Sequence, residues 1–444
     1  MRILYFALLA VLSQSAYAVE FNPELLSQNR VMEGAPHSVS SDSNSVTSQY
    51  GVQGVIWALS TKMTRDNKYV VFNSRDKDWV SEGVETEWFI KNTETEELKP
   101  LGRPSLLGPR DVMSWVRISP NGRYIGFSHK SGSQTGSQTA VWDRMTDEVM
   151  PVEYDENQLP YIQDKGEMTS VVYPINERIV MLSHVLGKLS ITDLKEKVTK
   201  KVNIDIYGNE AEIKISSIRP FSDDGRYTVY VVYKSEMDPD NVSDIDSQNL
   251  YLYDRIEDKH IKISSLHREN YALGSAYGSA FSISPDGQYV VYEARKPSSP
   301  EYSHYEKYQS YLVLYHIATK KYEYVKDINE ELIQAIYKPS VSNDAESFAF
   351  STRNSDYLAL NSVSYQVVYF DRIHQKMIQP SISQRTGKPS SQTILPMIYG
   401  NGNGVLWRGN GVGLLENEFS GEHLYIMSPP SEPIIPEICL PYIN

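Results

Sequence analysis

A phrase that returns along the chain is the feature that most limits the folds open to this sequence. Its clearest copy runs from Ser284 to Tyr292 and reads Ser-Pro-Asp-Gly-Gln-Tyr-Val-Val-Tyr. Closely similar copies begin at Ser119 and Ser222, and a looser copy begins at Thr64. A phrase that recurs at long, regular intervals is typical of a chain built from structural repeats.

Each copy of the phrase predicts two antiparallel strands. Asp-Gly and Asn-Gly supply the positive φ angles that a two-residue hairpin turn requires, and the run that begins with tyrosine has strand composition. A third strand follows and ends near an Asp-Arg step, at Asp143, Asp254 and Asp371, and a short fourth strand follows that, as in Glu148 to Val152. Four short strands per repeat are typical of one blade of a β-propeller.

The spacing of the repeats predicts the number of blades. Taking the residue after the turn as a marker, copies recur every 49 to 62 residues, at Tyr69, Tyr124, Arg178, Tyr227, Tyr289, Ser347 and Gly404. We therefore predict an all-β fold, a β-propeller of seven four-stranded blades, with six and eight blades as alternatives because the third and seventh copies are degenerate. A linear array is disfavoured because it leaves exposed sheet edges that a closed ring removes.

The first residues have the order of a secretory signal. Arg2 is followed by an apolar run over 3–12 and by Ala-Tyr-Ala at 16–18, a small-residue cleavage site. We expect cleavage after residue 18 and a periplasmic or secreted location. The residue directly after the cleavage site is Val19 and not cysteine, so we do not expect a lipoprotein, and no other run is long and apolar enough for a transmembrane helix.

The mature chain then divides into three parts. We predict an N-terminal extension over 19–51, a propeller over 52–428 and a proline-rich tail over 429–444. A closed ring needs a strand from one end of the chain to complete a blade begun at the other end. Either 20–33 or 434–443 could supply that strand.

The Ser-Pro-Asp-Gly-x-Tyr phrase and the later Asp-Arg step resemble the TolB-like propeller repeat, also called the WD40-like or PD40 repeat, of exported bacterial proteins. The resemblance covers the chain from Val52 to Ser428. It implies a propeller but no single function, because such propellers serve as binding platforms, as companions of peptidases and in some cases as enzymes. TolB itself resembles a propeller preceded by a separate α/β domain, and because the blades begin early in this sequence we do not expect the chain to be TolB itself.

Composition narrows the classes of partner. The formal net charge of −13 disfavours nucleic acid, which is bound by basic surfaces. Cys439 is the only cysteine, so the fold has no intramolecular disulfide. We expect a monomer whose partner is a protein or a polysaccharide or other envelope ligand.

The chain lacks the common catalytic motifs. There is no Gly-x-Ser-x-Gly elbow, no His-Glu-x-x-His, no P-loop and no dinucleotide fingerprint. The nine histidines have no second ligand at metal spacing. We therefore do not expect an enzyme of these classes and expect no required cofactor.

An acidic loop in the fourth blade is a candidate calcium site. Four aspartates within nine residues could offer the hard oxygen ligands that Ca²⁺ takes. The spacing is not that of an EF-hand, and a solvated acidic loop is the alternative. The candidate ligands are Asp238, Asp240, Asp244 and Asp246.

A second candidate, for ligand binding, is the corresponding loop of blade five. Aromatic rings beside polar groups favour a sugar or a peptide, although packing against the next blade would need the same composition. The candidate residues are Tyr302, His304, Tyr305 and Tyr308.

Both loops join the second and third strands of their blades, as do 76–87, 130–139 and 353–364, so we expect the five to meet on one face. Paired carboxylates for glycoside cleavage could lie among them. The candidates are Asp76, Asp78, Glu82, Asp238 and Asp356.

Together these patterns predict an exported, non-catalytic propeller that binds a protein or an envelope or extracellular ligand through its long-loop face. One alternative is a carbohydrate-active hydrolase or lyase with acidic residues in the central funnel. The other is the companion of a separately encoded peptidase.

Overall fold

The structure is a computed structural model of the chain. The residues that it describes are 37–38, 63–66, 68–74, 80–81, 87–95, 97–108, 111–130, 138–152, 170–184, 188–204, 208, 211–215, 217–233, 249–263, 281–297, 308–334, 336–358, 364–382, 389, 392–399, 402, 404–410 and 422–427.

The fold is all-β, a propeller of seven four-stranded antiparallel blades, as the repeat predicted. The first strand along the chain is β1 (His37–Ser38). Blade one contains β2 (Tyr69–Ser74), β3 (Glu87–Asn92) and β4 (Leu98–Pro100), and Met63 pairs with Val70 on the inner side of β2. Blade two contains β5 (Val112–Ile118), β6 (Tyr124–Lys130), β7 (Gln138–Asp143) and β8 (Glu148–Pro151). Blade three contains β9 (Ser170–Pro174), β10 (Ile179–His184), β11 (Lys188–Asp193) and β12 (Val198–Lys201).

The remaining blades repeat this order. Blade four contains β13 (Glu212–Lys214), β14 (Tyr227–Tyr233), β15 (Asn249–Asp254) and β16 (Lys259–Lys262). Blade five contains β17 (Phe281–Ile283), β18 (Tyr289–Pro297), β19 (Tyr308–His316) and β20 (Lys321–Tyr324). Blade six contains β21 (Ile336–Val341), β22 (Ser347–Thr352), β23 (Gln366–Asp371) and β24 (Lys376–Ile378), with a 3₁₀ turn at Ser355–Tyr357. Blade seven contains β25 (Gln392–Tyr399), β26 (Gly404–Asn410) and β27 (Glu422–Met427).

The last blade is completed from the N-terminal side. Strand β1 pairs antiparallel with β27, with His37 opposite Ile426 and Ser38 opposite Tyr425. The outermost strand of blade seven therefore comes from the 19–51 extension. The two segments considered for this role, 20–33 and 434–443, lie outside the described residues.

The up-and-down order of the strands gives the ring two different faces. Connections from first to second strand and from third to fourth strand lie on one face, which we call the turn face. Connections from second to third strand, and from each blade to the next, lie on the other face, which we call the loop face. The five long insertions are all second-to-third connections, so their ends open on the loop face.

The phrase itself forms the turn between the first two strands, but the predicted two-residue turn is wrong. In the clearest copy the Ser284 N–H donates to the Tyr289 carbonyl (2.8 Å) and the Gly287 N–H donates to the Ser284 carbonyl (3.0 Å). This is a type I turn followed by a left-handed glycine, and Asp286 keeps a negative φ. The aspartate instead accepts from the Ser284 hydroxyl (2.7 Å) and the Gln288 N–H (3.1 Å), so its role is an Asx turn.

A recurring ion pair explains the Asp of the Asp-Arg step. In blade two, Asp143 accepts two hydrogen bonds from the Nε of Arg123, at 2.9 and 3.0 Å, and the Arg123 side chain also forms an ion pair with it. Blade four repeats the pair with Arg226 and Asp254. The arginine follows the glycine of the phrase, so the pair joins the start of the second strand to the end of the third. The pair lowers the pKa of the Asp143 carboxyl to about 2, and the hydrogen bonds from Arg123 are the largest cause.

Candidate functional site

The innermost strands of three blades carry the same distortion. Strands β5, β21 and β25 each shift register by one bulge, and one residue of each bulge has a positive φ: Trp115 at 54°, Lys338 at 53° and Leu395 at 61°. Non-glycine residues rarely adopt this conformation. A bulge changes the direction in which side chains point, so these three strands present their residues differently from a regular strand.

A segment of blade four crosses the central channel. Between β13 and β14 the chain leaves the regular ladder, and Ile218 is fully buried in a cluster with Leu395 and Met397 of blade seven and Met63 of blade one. Blade four lies opposite those two blades in a seven-bladed ring. We call residues 217–219 the plug, because Ile218 and Arg219 contact blade seven across the ring.

Polar contacts fix the plug on its turn-face side. Arg219 donates to Asp223 (2.8 Å) and its guanidinium also contacts the Met397 sulfur at 3.8 Å. Arg65, from the phrase turn of blade one, forms a second ion pair with Asp223 at 2.8 Å. The plug is also bonded to blade five, because the Ile283 N–H donates to the Arg219 carbonyl at 2.9 Å.

On the innermost strands and the plug, each charged side chain that the structure describes as buried is basic. They are Arg117, Arg219 and Lys338. The guanidinium of Arg117 lies 5.7 Å from the ring centre of Tyr173 in the next blade and donates to the Val116 carbonyl at 3.0 Å. Burial lowers the pKa of Arg117. In the described part of the chain, then, the charged groups near the axis are Arg117, Lys338 and the Arg219–Asp223 ion pair, although the whole chain is acidic.

The described residues bring basic and aromatic side chains together at the loop face of blades six and seven. Tyr337 and Tyr365 have ring centres 5.1 Å apart, and each ring carries a cation: Lys338 Nζ lies 4.9 Å from the Tyr337 centroid, and the Arg353 guanidinium lies 4.2 Å from the Tyr365 centroid. Arg408 of β26 is the electrostatic neighbour of Lys338 across the blade boundary. These five residues are named the basic cluster below.

Chain direction places the basic cluster toward the loop face. Lys338 is near the start of β21, which runs from the loop face to the turn face. Arg408 is near the loop-face end of β26, and Arg353 and Tyr365 lie directly after β22 and before β23. Blade seven is joined to blade six at the same level, because the Thr393 N–H donates to the Tyr365 carbonyl at 2.9 Å.

Burial lowers the pKa values of two basic groups in the basic cluster. Lys338 is 2% exposed, and burial, with a smaller contribution from the Arg408 charge, lowers the pKa of its amine to about 7. Burial also lowers the pKa of Arg408. Arg353 is exposed at the rim. The amine of Lys338 can therefore exist in either protonation state near neutral pH.

Most of the predicted site residues lie outside the described residues. These are the calcium candidates Asp238, Asp240, Asp244 and Asp246, the loop residues Tyr302, His304 and Tyr305, and the carboxylates Asp76, Asp78 and Glu82. Tyr308 is the first residue of β19, and Asp356 is an exposed residue of the 3₁₀ turn. Across the described residues, no group of three or more His, Cys, Asp or Glu side chains is arranged to hold a metal ion.

The sequence contained a signal for the basic cluster that we did not use. Lys338 stands in a strand just before the phrase of blade six, where most blades have apolar residues, and Pro339 follows it. Leu395 and Pro396 repeat this dipeptide pattern in blade seven. A proline after an inner-strand residue indicates a break in the ladder, because proline has no N–H to donate.

Solved structures that resemble this chain are propellers of several functions. The oligogalacturonate lyase of Vibrio parahaemolyticus is 13% identical, with 89% of this chain and 93% of that chain covered and a TM-score of 0.50. The β-propeller domain of the Trilobed protease from Pyrococcus furiosus is 12% identical, with 84% and 95% covered and a TM-score of 0.43. TolB from Acinetobacter baumannii is 13% identical, with 66% and 59% covered and a TM-score of 0.31.

Sequence identities this low show only that the fold is shared, and they show nothing about function. No family model matches the chain, and no curated protein matches it. In the part of the chain that the structure describes, no helix is long and apolar enough to cross a membrane. A propeller fold hosts many functions, so the function is argued from the site.

Proposed function

We propose that this chain is an exported propeller of the TolB-like kind that binds a ligand at its loop face, over the channel mouth beside blades six and seven. Export rests on the signal-like first 18 residues. The observation that carries the binding site is the basic cluster, which concentrates three cations and two aromatic rings at one end of an acidic protein. Such a local concentration is typical of a recognition surface.

The turn face offers a weaker candidate. Its phrase turns and ion pairs bond neighbouring strands to one another, and the plug packs against blades one and seven. These groups are already used to hold the ring together. A ligand that entered the channel from the loop face would meet the plug.

The test compares matched charge reversals on the two faces. Arg353→Glu changes an exposed residue of the basic cluster, and Lys195→Glu changes an exposed turn-face residue of blade three. The mature protein, bound to beads, is incubated with the envelope and medium fractions of the producing cells, and the bound material is identified. We expect Arg353→Glu to lose the captured component and Lys195→Glu to keep it. Equal capture by both variants would contradict the proposal.

A lyase acting on an acidic polysaccharide is a second candidate, and Lys338 is the observation that favours it. A lysine whose pKa lies near 7 can accept a proton at neutral pH, as a general base must. Lys338 would remove the proton from the carbon of an acidic sugar unit that bears the carboxylate. Release of unsaturated sugar, followed by ultraviolet absorbance, would support this function, and intact polysaccharide after prolonged incubation would leave binding alone.

A further inference from the structure

The Arg353 side chain differs from most other arginines that the structure describes. Within the described residues its guanidinium contacts the Tyr365 ring and forms no hydrogen bond or ion pair with a carboxylate. Four described arginines donate to backbone carbonyls. Six others donate to carboxylates: Arg65, Arg123, Arg178, Arg219, Arg226 and Arg372. Arg353 is exposed at the rim, so its N–H donors are available to a partner.

Ring packing fixes the position of this guanidinium. Arg353 lies over Tyr365, Tyr365 packs against Tyr337, and Lys338 lies over Tyr337. The stack therefore runs from a buried cation through two rings to an exposed cation. A cation over an aromatic face is held by the ring quadrupole. Because Arg353 is already ordered, it loses little conformational freedom when it binds.

The backbone that follows Arg353 is held in place as well. The Asn354 side chain accepts from the Asp356 N–H at 3.1 Å and so caps the 3₁₀ turn. Tyr357 is buried, and its hydroxyl accepts from the Gln334 N–H of the preceding connection at 3.0 Å. The exposed guanidinium is thus carried by a rigid segment, as binding residues on loops commonly are.

Exposed carboxylates lie close to Arg353. Burial is the main cause that raises the pKa of Tyr357, and the charges of Asp327, Asp356 and Glu331 add to the rise. Asp356 and Glu331 are both exposed, so the rim carries two carboxylates on the same side as the guanidinium. A uniformly anionic chain would be repelled by these carboxylates. A protein surface can place an acidic group at Arg353 and basic groups beside it.

We propose that Arg353 anchors a protein partner through a carboxylate of that partner, and that basic side chains of the partner face Asp356 and Glu331. This inference rests on the proposed function, since it names the class of partner for the loop-face site. A guanidinium binds a carboxylate through two parallel N–H donors. Tyrosine and arginine are also among the residues that contribute most to binding in protein interfaces.

The experiment measures how much bead-bound mature chain is needed to capture components of the envelope and medium fractions. Each fraction is used untreated, digested with a protease that is then inhibited, and treated with carbodiimide and ethanolamine, which converts carboxylates into neutral amides. The variants are Arg353→Ala, Arg353→Lys and Arg372→Ala. Arg372 is the matched control, because it is an arginine on the turn face of the same blade and is paired with Glu323. Melting temperatures show that each variant is folded.

We expect a protein that the natural chain and Arg372→Ala capture equally. Arg353→Ala should capture it about 10- to 100-fold more weakly, the effect of losing hydrogen bonds to a charged group. Arg353→Lys should lie between the two, because lysine keeps the charge but not the paired donors. Amidation of the fraction should weaken capture by the natural chain at least as much as Arg353→Ala does.

Two outcomes separate this inference from the proposed function. Capture that depends on Arg353 but survives the protease would show a ligand that is not a protein, such as an acidic polysaccharide, and would overturn the inference while the proposed function stands. Capture that does not depend on Arg353 would overturn both. Unchanged capture after amidation, or an Arg353→Lys variant as weak as Arg353→Ala, would overturn the assignment of a carboxylate.

Discussion

At the scale of single residues, the missing side chain of Gly126 in β6 sets how closely blades two and three can pack. A Cβ at this position would lie 2.6 Å from the Val172 carbonyl oxygen and 2.7 Å from Pro174 Cδ. Because one of these atoms belongs to the backbone, relief needs a shift of strand β9. We expect Gly126→Ala to lower the free energy of unfolding by about 2–3 kcal/mol, measured by urea denaturation.

Gly108→Ala is the matched control for this prediction. The nearest atom to a Cβ there is the Asp111 carboxylate at 3.5 Å, an ordinary contact, and the φ of Gly108 is not in the left-handed region. We expect a change within about 0.5 kcal/mol. If both substitutions lower the unfolding free energy by similar amounts, the close approach of β9 is not the reason that alanine is unfavourable at position 126.

A second prediction at the residue scale concerns Lys338. Its pKa is about 7 in the folded chain and 10.5 ordinarily, so below pH 10.5 the unfolded chain binds a proton that the folded chain does not bind until near pH 7. The buried amine therefore lowers the unfolding free energy by the full amount below pH 7, and this penalty disappears as the pH rises toward 10.5. Lys338→Met removes it, and should stabilise the protein at pH 7 by on the order of 3 kcal/mol.

The measurement is the difference in unfolding free energy between Lys338→Met and the natural chain at several pH values from 6 to 10. Groups common to both proteins cancel in this difference. It should be largest at and below pH 7 and should shrink toward pH 10. A difference that is constant or that grows with pH would show that the Lys338 amine is not desolvated.

At the scale of structural elements, the plug joins blades that the chain keeps far apart. Ile218 of blade four packs with Leu395 and Met397 of blade seven, across the ring. Replacing a fully buried isoleucine by alanine removes apolar contacts and leaves a cavity. We expect Ile218→Ala to lower the unfolding free energy by about 3 kcal/mol.

Ile256→Ala provides the comparison, because Ile256 is 62% exposed on a turn-face connection. Its removal should change the unfolding free energy by less than about 0.5 kcal/mol. If both substitutions cost the same, Ile218 does not connect the opposite blades.

The elements also show what a local pattern can and cannot predict. The third strands ending at Asp143, Asp254 and Asp371 were predicted because strand composition and turn residues act over a few positions. The turn type was wrong because Asp286 uses its side chain, not a positive φ, to stabilise the turn. The plug was not predicted, since no short pattern near Ile218 reports that it will meet blade seven.

At the scale of the whole molecule, the repeat predicted a seven-bladed ring, and the order of strands gives that ring a loop face and a turn face. The site was predicted less well. The basic cluster combines Lys338 and Arg353 of blade six with Arg408 of blade seven, residues that become neighbours only when two blades pack. No pattern within a single loop predicts this cluster, because its residues lie on two strands, β21 and β26, and directly after β22 and before β23.

The central claim is that ligand binds at the loop face, and orientation on a surface tests it most directly. In a Cys439→Ser background no other cysteine remains, so a single new cysteine sets how the protein is tethered. Lys195→Cys tethers the turn face and Arg353→Cys tethers the loop face. We predict that the turn-face tether retains capture of the envelope component and that the loop-face tether abolishes it; equal capture by both, or capture by the loop-face tether alone, would contradict the account.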